Sequence, residues 1–282
     1  MQAYLALLVA MLSIQGGASL AKHIFSELGP TGVTFYRLTF AALILALIWR
    51  PWKTKLSKKE KRTIFLYGAA LGIMNFFFYL SLARIPLGIA VGLEFSGPLV
   101  VAVLSSGRKL DFLWVALAAI GIYLILPLHQ NDVPLDPLGI LYALIAGACW
   151  GLYIIFGQKA GAKSHAGAVT SLGMCVAALV IAPIGIYSAG KRLLTFSAIP
   201  MAIGVAILSS AIPYSFEMIA LKKLRRQTFG ILMSLEPVIA SLMGYLFLNE
   251  SLSAKQMLAI GFIILASAGT SVFQKSQSVS IP

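Results

Sequence analysis

Ten apolar stretches, each about as long as a helix that crosses a membrane, occupy nearly all of this 282-residue chain. The hydrocarbon core of a bilayer is about 30 Å thick, and an α-helix crosses it with about 20 residues. Strands do not fit, because the stretches are too long and lack the period-two alternation of a barrel strand. The pattern predicts an all-α integral membrane protein with ten transmembrane helices, at residues 2–21, 30–50, 63–83, 86–105, 111–128, 136–157, 165–188, 198–219, 227–248 and 255–273.

The scarcity of charge excludes several other classes of protein. Charged side chains make up 11% of the chain, against about 25% in soluble domains. A soluble fold of this size cannot bury so much apolar surface, since more than half of its accessible area still faces water. The composition therefore excludes a soluble enzyme, a nucleic-acid-binding module and a disordered protein.

The basic residues indicate how the chain crosses the bilayer. If the N-terminus is cytoplasmic, 16 of the 22 Lys and Arg residues fall in cytoplasmic loops and the tail, five fall on the other side, and Arg37 lies inside a helix. Cytoplasmic loops carry an excess of Lys and Arg in membrane proteins. We therefore expect a multi-pass membrane protein with both termini in the cytoplasm. The net charge of +13 is thus explained by the Lys and Arg residues of the cytoplasmic loops and does not indicate a nucleic-acid partner.

A sequence repeat relates the two halves of the chain. Ala119-Ile120-Gly121 and Ala259-Ile260-Gly261 lie 140 residues apart, and Pro98 and Pro237 lie 139 residues apart. The first five predicted helices therefore match the last five. Because five is odd, the second copy must run through the membrane in the opposite direction.

This repeat predicts the domain organisation. Residues 1–128 form an N-terminal five-helix repeat, residues 136–273 form the inverted C-terminal repeat, and residues 274–282 form a cytoplasmic tail. In secondary transporters built from inverted repeats, the substrate binds near the midplane at the interface between the repeats. Transport by alternating access would then rock one repeat against the other.

Four charged residues lie inside the predicted helices, where charge is costly and usually functional. They are Arg37, Glu94, Glu217 and Glu236. Arg37 and Glu94 come out at similar depths, roughly 10 and 12 Å from the outer surface, which permits an ion pair. A carboxylate deep in the membrane is paired, protonated or facing water, so we assign Glu94 and Glu236 to substrate or proton handling.

The other two charges have structural alternatives. Arg37 would serve as a structural partner that neutralises a buried Glu. Glu217 lies near the inner end of its helix, where it would reach the interface or pair with Lys222 or Lys223.

Aromatic residues and prolines near these charges give further candidates. Trp150 and Tyr153 lie one turn apart on the sixth helix. As part of a cavity wall they would stack on a substrate, and as interface aromatics they would have no specific role. Pro98 and Pro237 follow Glu94 and Glu236, and a kink beside a buried acid suits a hinge, although a static packing kink is the alternative.

Ordered motifs in both halves resemble the bacterial threonine/homoserine exporters, in the EamA-type branch of the drug/metabolite transporter superfamily. The likeness covers residues 1–273. The motifs are Ser13-Ile14-Gln15-Gly16-Gly17-Ala18-Ser19-Leu20-Ala21-Lys22, Pro86-Leu87-Gly88-Ile89-Ala90-Val91, Leu93-Glu94-Phe95, Gly97-Pro98-Leu99, Gly147-Ala148-Cys149-Trp150, Pro213-Tyr214-Ser215, Glu217-Met218-Ile219-Ala220-Leu221 and Glu236-Pro237.

The resemblance implies a ten-helix inverted-repeat fold in the bacterial inner membrane. It also implies proton-driven export of threonine and homoserine and a central cavity lined by the first, third, fourth, sixth, eighth and ninth helices. The polar and aromatic candidates that fall on those helices are Gln15, Asn75, Glu94, Trp150, Tyr214 and Glu236.

We interpret the chain as an exporter of small amino acids. Glu94 or Glu236 would accept hydrogen bonds from the ammonium group. The carboxylate would accept from Arg37 or from backbone N–H groups freed near Pro98 and Pro237. A side-chain hydroxyl would bind Asn75, Gln15, Tyr79 or Tyr214. An exporter of other amino acids, or of cationic or hydrophobic metabolites and drugs, is the alternative, because three acids and several aromatics also suit a lipophilic cation.

No enzymatic function is expected. The sequence has no HExxH motif, no histidine within a predicted helix interior and no phosphate-binding glycine loop. We therefore predict no cofactor and no metal site. The expected partners are an amino acid, protons and the lipid bilayer, and a homodimer is left open.

Overall fold

The computed structural model describes residues 2–104, 109–125, 135–162, 165–224, 229, 232–250, 254–255, 257–259, 261–262 and 265–266. The described part of the chain is helical and contains no strand, which confirms the predicted all-α membrane class. The helices are α1 (Gln2–His23), α2 (Phe25–Trp49), α3 (Lys58–Leu82), α4 (Leu87–Glu94), α5 (Ser96–Leu104), α6 (Lys109–Ile125), α7 (Pro137–Gly161), α8 (Ala166–Ala189), α9 (Ile199–Ala206), α10 (Ile212–Lys223) and α11 (Glu236–Leu248).

Six helical spans in the described residues are long and apolar enough to cross a membrane: Gln2–His23, Phe25–Trp49, Lys58–Leu82, Pro137–Gly161, Ala166–Leu194 and Phe196–Lys223. The predicted helix at 86–105 is divided into α4 and α5, and α6 and α11 are shorter. Most of the predicted helix at 255–273 and the whole tail at 274–282 lie outside the described residues. The count of ten membrane crossings therefore stays a prediction.

Two helices begin earlier than hydropathy predicts, for local reasons. Helix α3 begins five residues before position 63 because Ser57 and Glu60 form a capping box. The Ser57 hydroxyl accepts from the Glu60 N–H at 3.3 Å, and the Glu60 carboxylate accepts from the Ser57 N–H at 2.8 Å. These bonds satisfy backbone donors that the first helical turn leaves free.

Helix α2 contains a kink close to its predicted start at position 30. Gly29 has φ of +69°, in the region that favours glycine, and Pro30 follows it. Pro30 restarts the helix in its first turn, where its missing N–H removes no hydrogen bond. One helical turn, from Phe25 to Leu28, precedes the kink.

Three helices are interrupted within the apolar region. Phe95 breaks the fourth predicted helix directly after Glu94. A 3₁₀ turn over Met233–Leu235 precedes Glu236, and a π-turn over Ile207–Ala211 separates α9 from α10. Such irregular turns often mark functional sites.

Helices of the two halves pack extensively against each other. Helix α3 packs on α7 and α8, α2 on α8, α1 on α10 and α11, and α4 on α7 and α11. Glycines permit the closest crossings: a Cβ at Gly97 of α5 would lie 1.7 Å from the carbonyl oxygen of Gly147 in α7. The two halves therefore interlock instead of lying side by side as separate bodies.

Large apolar side chains cover the outside of this bundle. Tyr187 is 90% exposed, Leu104 79% and Leu179 73%. Water would not tolerate so many such side chains, whereas lipid does. The polar groups instead lie inside the bundle.

Candidate functional site: a buried polar cavity

A small cavity lies between the helices of both halves. Its volume is about 20 Å³, which accommodates a water-sized solute but no amino acid. Eight of the nine binding residues predicted from the sequence line it, all of them buried. The lining residues are Ile14, Gln15, Arg37, Met74, Asn75, Phe78, Glu94, Trp150, Tyr214, Glu217 and Glu236.

Arg37 of α2 lies at the centre of a hydrogen-bond network. Its Nε donates to the Ser210 hydroxyl at 2.7 Å. Its Nη2 donates to the Asn75 side-chain oxygen and, at 3.3 Å, to the Tyr214 hydroxyl. The guanidinium also lies 4.7 Å from the centre of the Tyr79 ring. These contacts fix a fully buried cation in one orientation.

The ion pair expected between Arg37 and Glu94 is absent from the described residues. The two ion pairs found there join Lys22 to Glu250 and Arg84 to Asp136. The number of residues from each helix end placed Arg37 and Glu94 at similar depths in the membrane. Depth along a helix axis does not determine the direction in which a side chain points. The guanidinium points instead toward the π-turn, α3 and α10.

Gln15 of α1 and Glu236 of α11 form the second polar contact in the cavity. The Gln15 Nε2 donates to the Glu236 Oε1 at 2.8 Å. Gln15 Oε1 and Glu236 Oε2 are both buried, and neither has a hydrogen-bond partner among the residues that the structure describes. The pair therefore presents two unoccupied acceptor oxygens, one of them on a carboxyl group.

Glu217 of α10 lies in the cavity wall, not at the membrane interface. It is 2% exposed and accepts a hydrogen bond from the Tyr153 hydroxyl at 2.7 Å. The structure thus differs from the alternative in which Glu217 reaches the inner surface. Tyr153 also contacts the rings of Tyr67, at 5.2 Å between centroids, and Tyr214, at 5.9 Å.

Three predicted residues lie outside the cavity lining. Tyr79 is buried beneath the Arg37 guanidinium, and its hydroxyl has no partner. Pro98 and Pro237 lie in the first turns of α5 and α11, directly after the helix breaks beside Glu94 and Glu236. The prolines therefore stand at breaks in the backbone, and whether these breaks move stays a prediction.

Two residues of this region, Ser210 and Tyr67, were not among the candidates predicted from the sequence. Ser210 holds Arg37, and Tyr67 packs on Tyr153. The signal for Ser210 was present, because a Ser-Ser pair followed by Pro213 is unusual in a membrane helix and indicates an irregular turn. Tyr67 had no distinguishing signal among the aromatic residues of its helix.

Charged contacts close the end of the bundle that holds Lys22, Arg84 and Glu250. The Glu250 carboxylate accepts from Lys22 at 3.0 Å and from the Leu87 N–H at 3.3 Å, so it connects α1 with the start of α4. Asp136 accepts from Arg84 at 2.5 Å and from the Leu138 N–H at 2.8 Å. These hydrogen bonds, with Arg84 first, lower the pKa of Asp136.

No group of three or more His, Cys, Asp or Glu residues suited to hold a metal ion occurs in the described part of the chain.

A multi-spanning helical bundle with an apolar exterior and a buried cavity of acids, a guanidinium and hydroxyls defines a membrane transporter. Comparison with known sequences agrees: residues 1–126 and 137–272 match the EamA-like transporter family. The chain belongs to this family and is a multi-pass membrane protein.

Two curated relatives are similar over most of their length. The threonine/homoserine exporter RhtA of Escherichia coli K12 is 50% identical over 96% of this chain and 92% of its own. RhtA of Salmonella typhimurium LT2 is 48% identical over 95% and 90%. One solved crystal structure, 17% identical, superposes with a TM-score of 0.70 over 99% of each chain and shows a shared fold.

Proposed function

We propose that this protein exports small amino acids, threonine and homoserine among them, across the inner membrane by proton-coupled alternating access. The observation that carries the proposal is a buried cavity in which donors, acceptors and hydroxyl groups from both halves converge. The names of the relatives, at about half identity over nearly the whole chain, support the choice of substrate.

The cavity chemistry suits a zwitterion. A guanidinium has five N–H donors, and three of those of Arg37 bond to Ser210, Asn75 and Tyr214. Among the described residues none forms a hydrogen bond with Nη1, whose donors suit a substrate carboxylate. The carboxyl groups of Glu94 and Glu236 provide acceptors for an ammonium group. Asn75 and Tyr214, already bonded to Arg37 and to each other, can hold a side-chain hydroxyl nearby.

The balance of charge supports coupling to protons. Glu94, Glu217 and Glu236 share the cavity with one cation, Arg37. If all three were ionised in so small and dry a space, two negative charges would lack a counter-charge, which is strongly unfavourable. A proton bound by one of these acids removes one of the excess negative charges, and its release restores that charge. The charge of the cavity, and with it the binding of substrate, is therefore coupled to protons.

Several observations support ten helices in two inverted repeats. The family match falls in two stretches, 1–126 and 137–272, close to the predicted repeats 1–128 and 136–273. If a pseudo-twofold axis relates the two repeats, a contact of the first helix with the eighth implies an equivalent contact of the sixth with the third. These are the observed contacts of α1 with α9 and α10 and of α7 with α3.

Alternating access is supported by the size of the cavity. An amino acid enters only if the helices around it separate, because the closed cavity holds little more than a water molecule. The breaks beside Glu94 and Glu236 supply places where the backbone can bend.

The rival substrate class is a cationic, partly hydrophobic compound. Phe78 and Trp150 line the cavity together with the three acids, and aromatic faces attract cations. The buried Arg37 disfavours such a ligand.

Counterflow in proteoliposomes tests the proposal with a panel of amino acids, with and without a pH gradient. We expect threonine and homoserine to exchange and the pH gradient to drive their accumulation. Flat responses to both would refute the proposal, and preferential exchange of lipophilic cations would favour the rival class.

Two variants test the coupling to protons. Glu94→Gln and Glu236→Gln should each abolish transport driven by the pH gradient, because neither amide can take up a proton. Glu250→Gln, outside the cavity, is the matched control and should keep the pH response. Unchanged gradient-driven transport in both cavity variants would rule out these acids as the coupling groups.

A further inference from the structure

We propose that Gln15 and Glu236 together form the subsite that receives the ammonium group of the exported compound. The inference rests on the proposed function, which left the choice between Glu94 and Glu236 open. Glu236 is then the acid that binds the ammonium group, and Gln15 is a second direct ligand of that group.

The geometry of the pair points to a missing donor. Gln15 is 2% exposed and Glu236 is 3% exposed, and both line the cavity. Their mutual hydrogen bond uses the Gln15 Nε2 and the Glu236 Oε1. Among the described residues, it leaves Gln15 Oε1 and Glu236 Oε2 without a partner, and leaving a buried polar atom unpaired is unfavourable.

The chemistry of the two free atoms selects the ligand. Both are acceptors, and one belongs to a group that can carry negative charge, so the matching ligand is a cation with at least two donors. A primary ammonium has three N–H donors and no acceptor. A carboxylate or a carbonyl has no donor to offer, so it would leave both oxygens unpaired.

The other two acids of the cavity lack this arrangement. Glu217 already accepts from the Tyr153 hydroxyl. No described residue donates a hydrogen bond to Glu94. Among the described residues Glu94 therefore has no hydrogen-bonded neighbour that supplies a second unpaired acceptor, as Gln15 does for Glu236. Glu94 therefore remains available as a proton-binding group, while Glu236 with Gln15 provides two acceptors in one place.

The pair also joins the two halves of the chain. Gln15 belongs to α1 and Glu236 to α11, which pack against each other. An ammonium group bound by both oxygens would therefore contact both halves at once. Arg37 of α2 provides donors in the same cavity, so the carboxylate of a zwitterion would bind there.

The test measures selectivity for an ammonium group. Purified full-length protein in detergent is titrated with threonine and with 2,3-dihydroxybutyrate, in which a hydroxyl replaces the ammonium group, and dissociation constants come from thermal stabilisation. We expect threonine to bind at least about tenfold more tightly to the wild-type protein, because a hydrogen bond to a charged group is lost in the hydroxy acid.

Matched variants locate the selectivity. Gln15→Met and Glu236→Gln should each lower the preference for threonine by about tenfold. Glu250→Gln makes the same chemical change as Glu236→Gln outside the cavity, and Gln158→Met makes the same change as Gln15→Met outside it. Both controls should keep the wild-type ratio, since a purely structural effect changes the binding of both ligands together.

The outcomes separate this inference from the proposed function. Unchanged ratios in Gln15→Met and Glu236→Gln, or a loss of preference in Glu94→Gln alone, would overturn the subsite even if threonine is exported. Other amino acids paired with their 2-hydroxy acids, such as alanine with lactate, form a parallel series. One of these pairs, and not the threonine pair, could show a preference for the amino acid that Gln15→Met and Glu236→Gln lower. That result would support the ammonium subsite and refute threonine as the substrate. If no ammonium compound binds wild-type protein more tightly than its hydroxy acid, the subsite is overturned.

Discussion

Two adjacent glycines in α1 have opposite surroundings, and this difference gives a sharp prediction. A Cβ added to Gly17 would lie 2.2 Å from the Ser209 hydroxyl oxygen, 2.8 Å from the Ser209 backbone nitrogen and 3.0 Å from the Leu208 Cβ. A Cβ added to Gly16 would meet nothing within 4 Å. Alanine at position 17 therefore tests how tightly α1 packs on the π-turn, and alanine at position 16 is its control.

The expected size of the effect follows from these distances. Ordinary contacts of a Cβ begin at 3.4 Å, so α1 and the backbone of Ser209 must separate by about 0.6 Å. Overpacking of this kind costs about 1–3 kcal/mol. Gly16→Ala removes a poor helix former and should gain up to about 1 kcal/mol. Because the same gain in helix propensity applies to Gly17→Ala, the two variants should differ by the overpacking cost, about 1–3 kcal/mol.

Thermal unfolding in detergent, followed by the fraction that remains monodisperse on size exclusion, measures the difference. For a chain of this size 1 kcal/mol shifts the midpoint by roughly 2–4 °C. We expect Gly17→Ala to melt several degrees below Gly16→Ala, and Gly16→Ala to melt at or above wild type. Equal midpoints, or a lower midpoint for Gly16→Ala, would show that the close packing of α1 on Ser209 is not as described.

Three further predictions concern other parts of the bundle. A Cβ at Gly97 would lie 1.7 Å from the backbone oxygen of Gly147, which cannot rotate away. Gly97→Ala should therefore abolish the folded monodisperse species on size exclusion. A wild-type elution profile would contradict this. Ser57→Ala removes the N-cap of α3 and should lower stability by about 1 kcal/mol in thermal melts, whereas Ser57→Asp should keep it. Because the folded-state pKa of Asp136 is lowered by Arg84, its stabilising effect is present above the ordinary Asp pKa of about 3.9 and is lost as the pH falls below it. Melts of Asp136→Asn, which keeps a capping side chain, should show a weaker loss of stability on acidification than wild type.

Hydropathy predicted the helices well because apolar length is a property of each segment alone. It predicted their starts poorly where polar residues extend a helix beyond the apolar run, as the capping box of Ser57 and Glu60 does. It also left out the breaks at Phe95 and over Met233–Leu235, since these depend on how neighbouring helices pack.

The cavity residues were predictable because charge and amide groups are rare in membrane helices. Eight of the nine candidates line one cavity. Their partners were not predictable, because depth along a helix axis does not determine the direction of a side chain. Arg37 thus bonds to Ser210, Asn75 and Tyr214 and not to Glu94. Glu217 likewise faces the cavity, although its position in the sequence also suited the inner surface.

The interlocking of the two halves has a consequence for the chain as a whole. In the described part of the chain the most extensive contacts, such as those of α3 with α7 and of α2 with α8, join one half to the other, so each half buries much of its surface against the other. If the chain were divided between residues 128 and 136 and made as two polypeptides, each fragment alone would expose the faces that normally cover its partner. The fragments should therefore accumulate only when they are produced together, as obligate subunits of a heterodimer. The covalent connection would then be dispensable for the assembled protein, while the complementarity of the two surfaces would not.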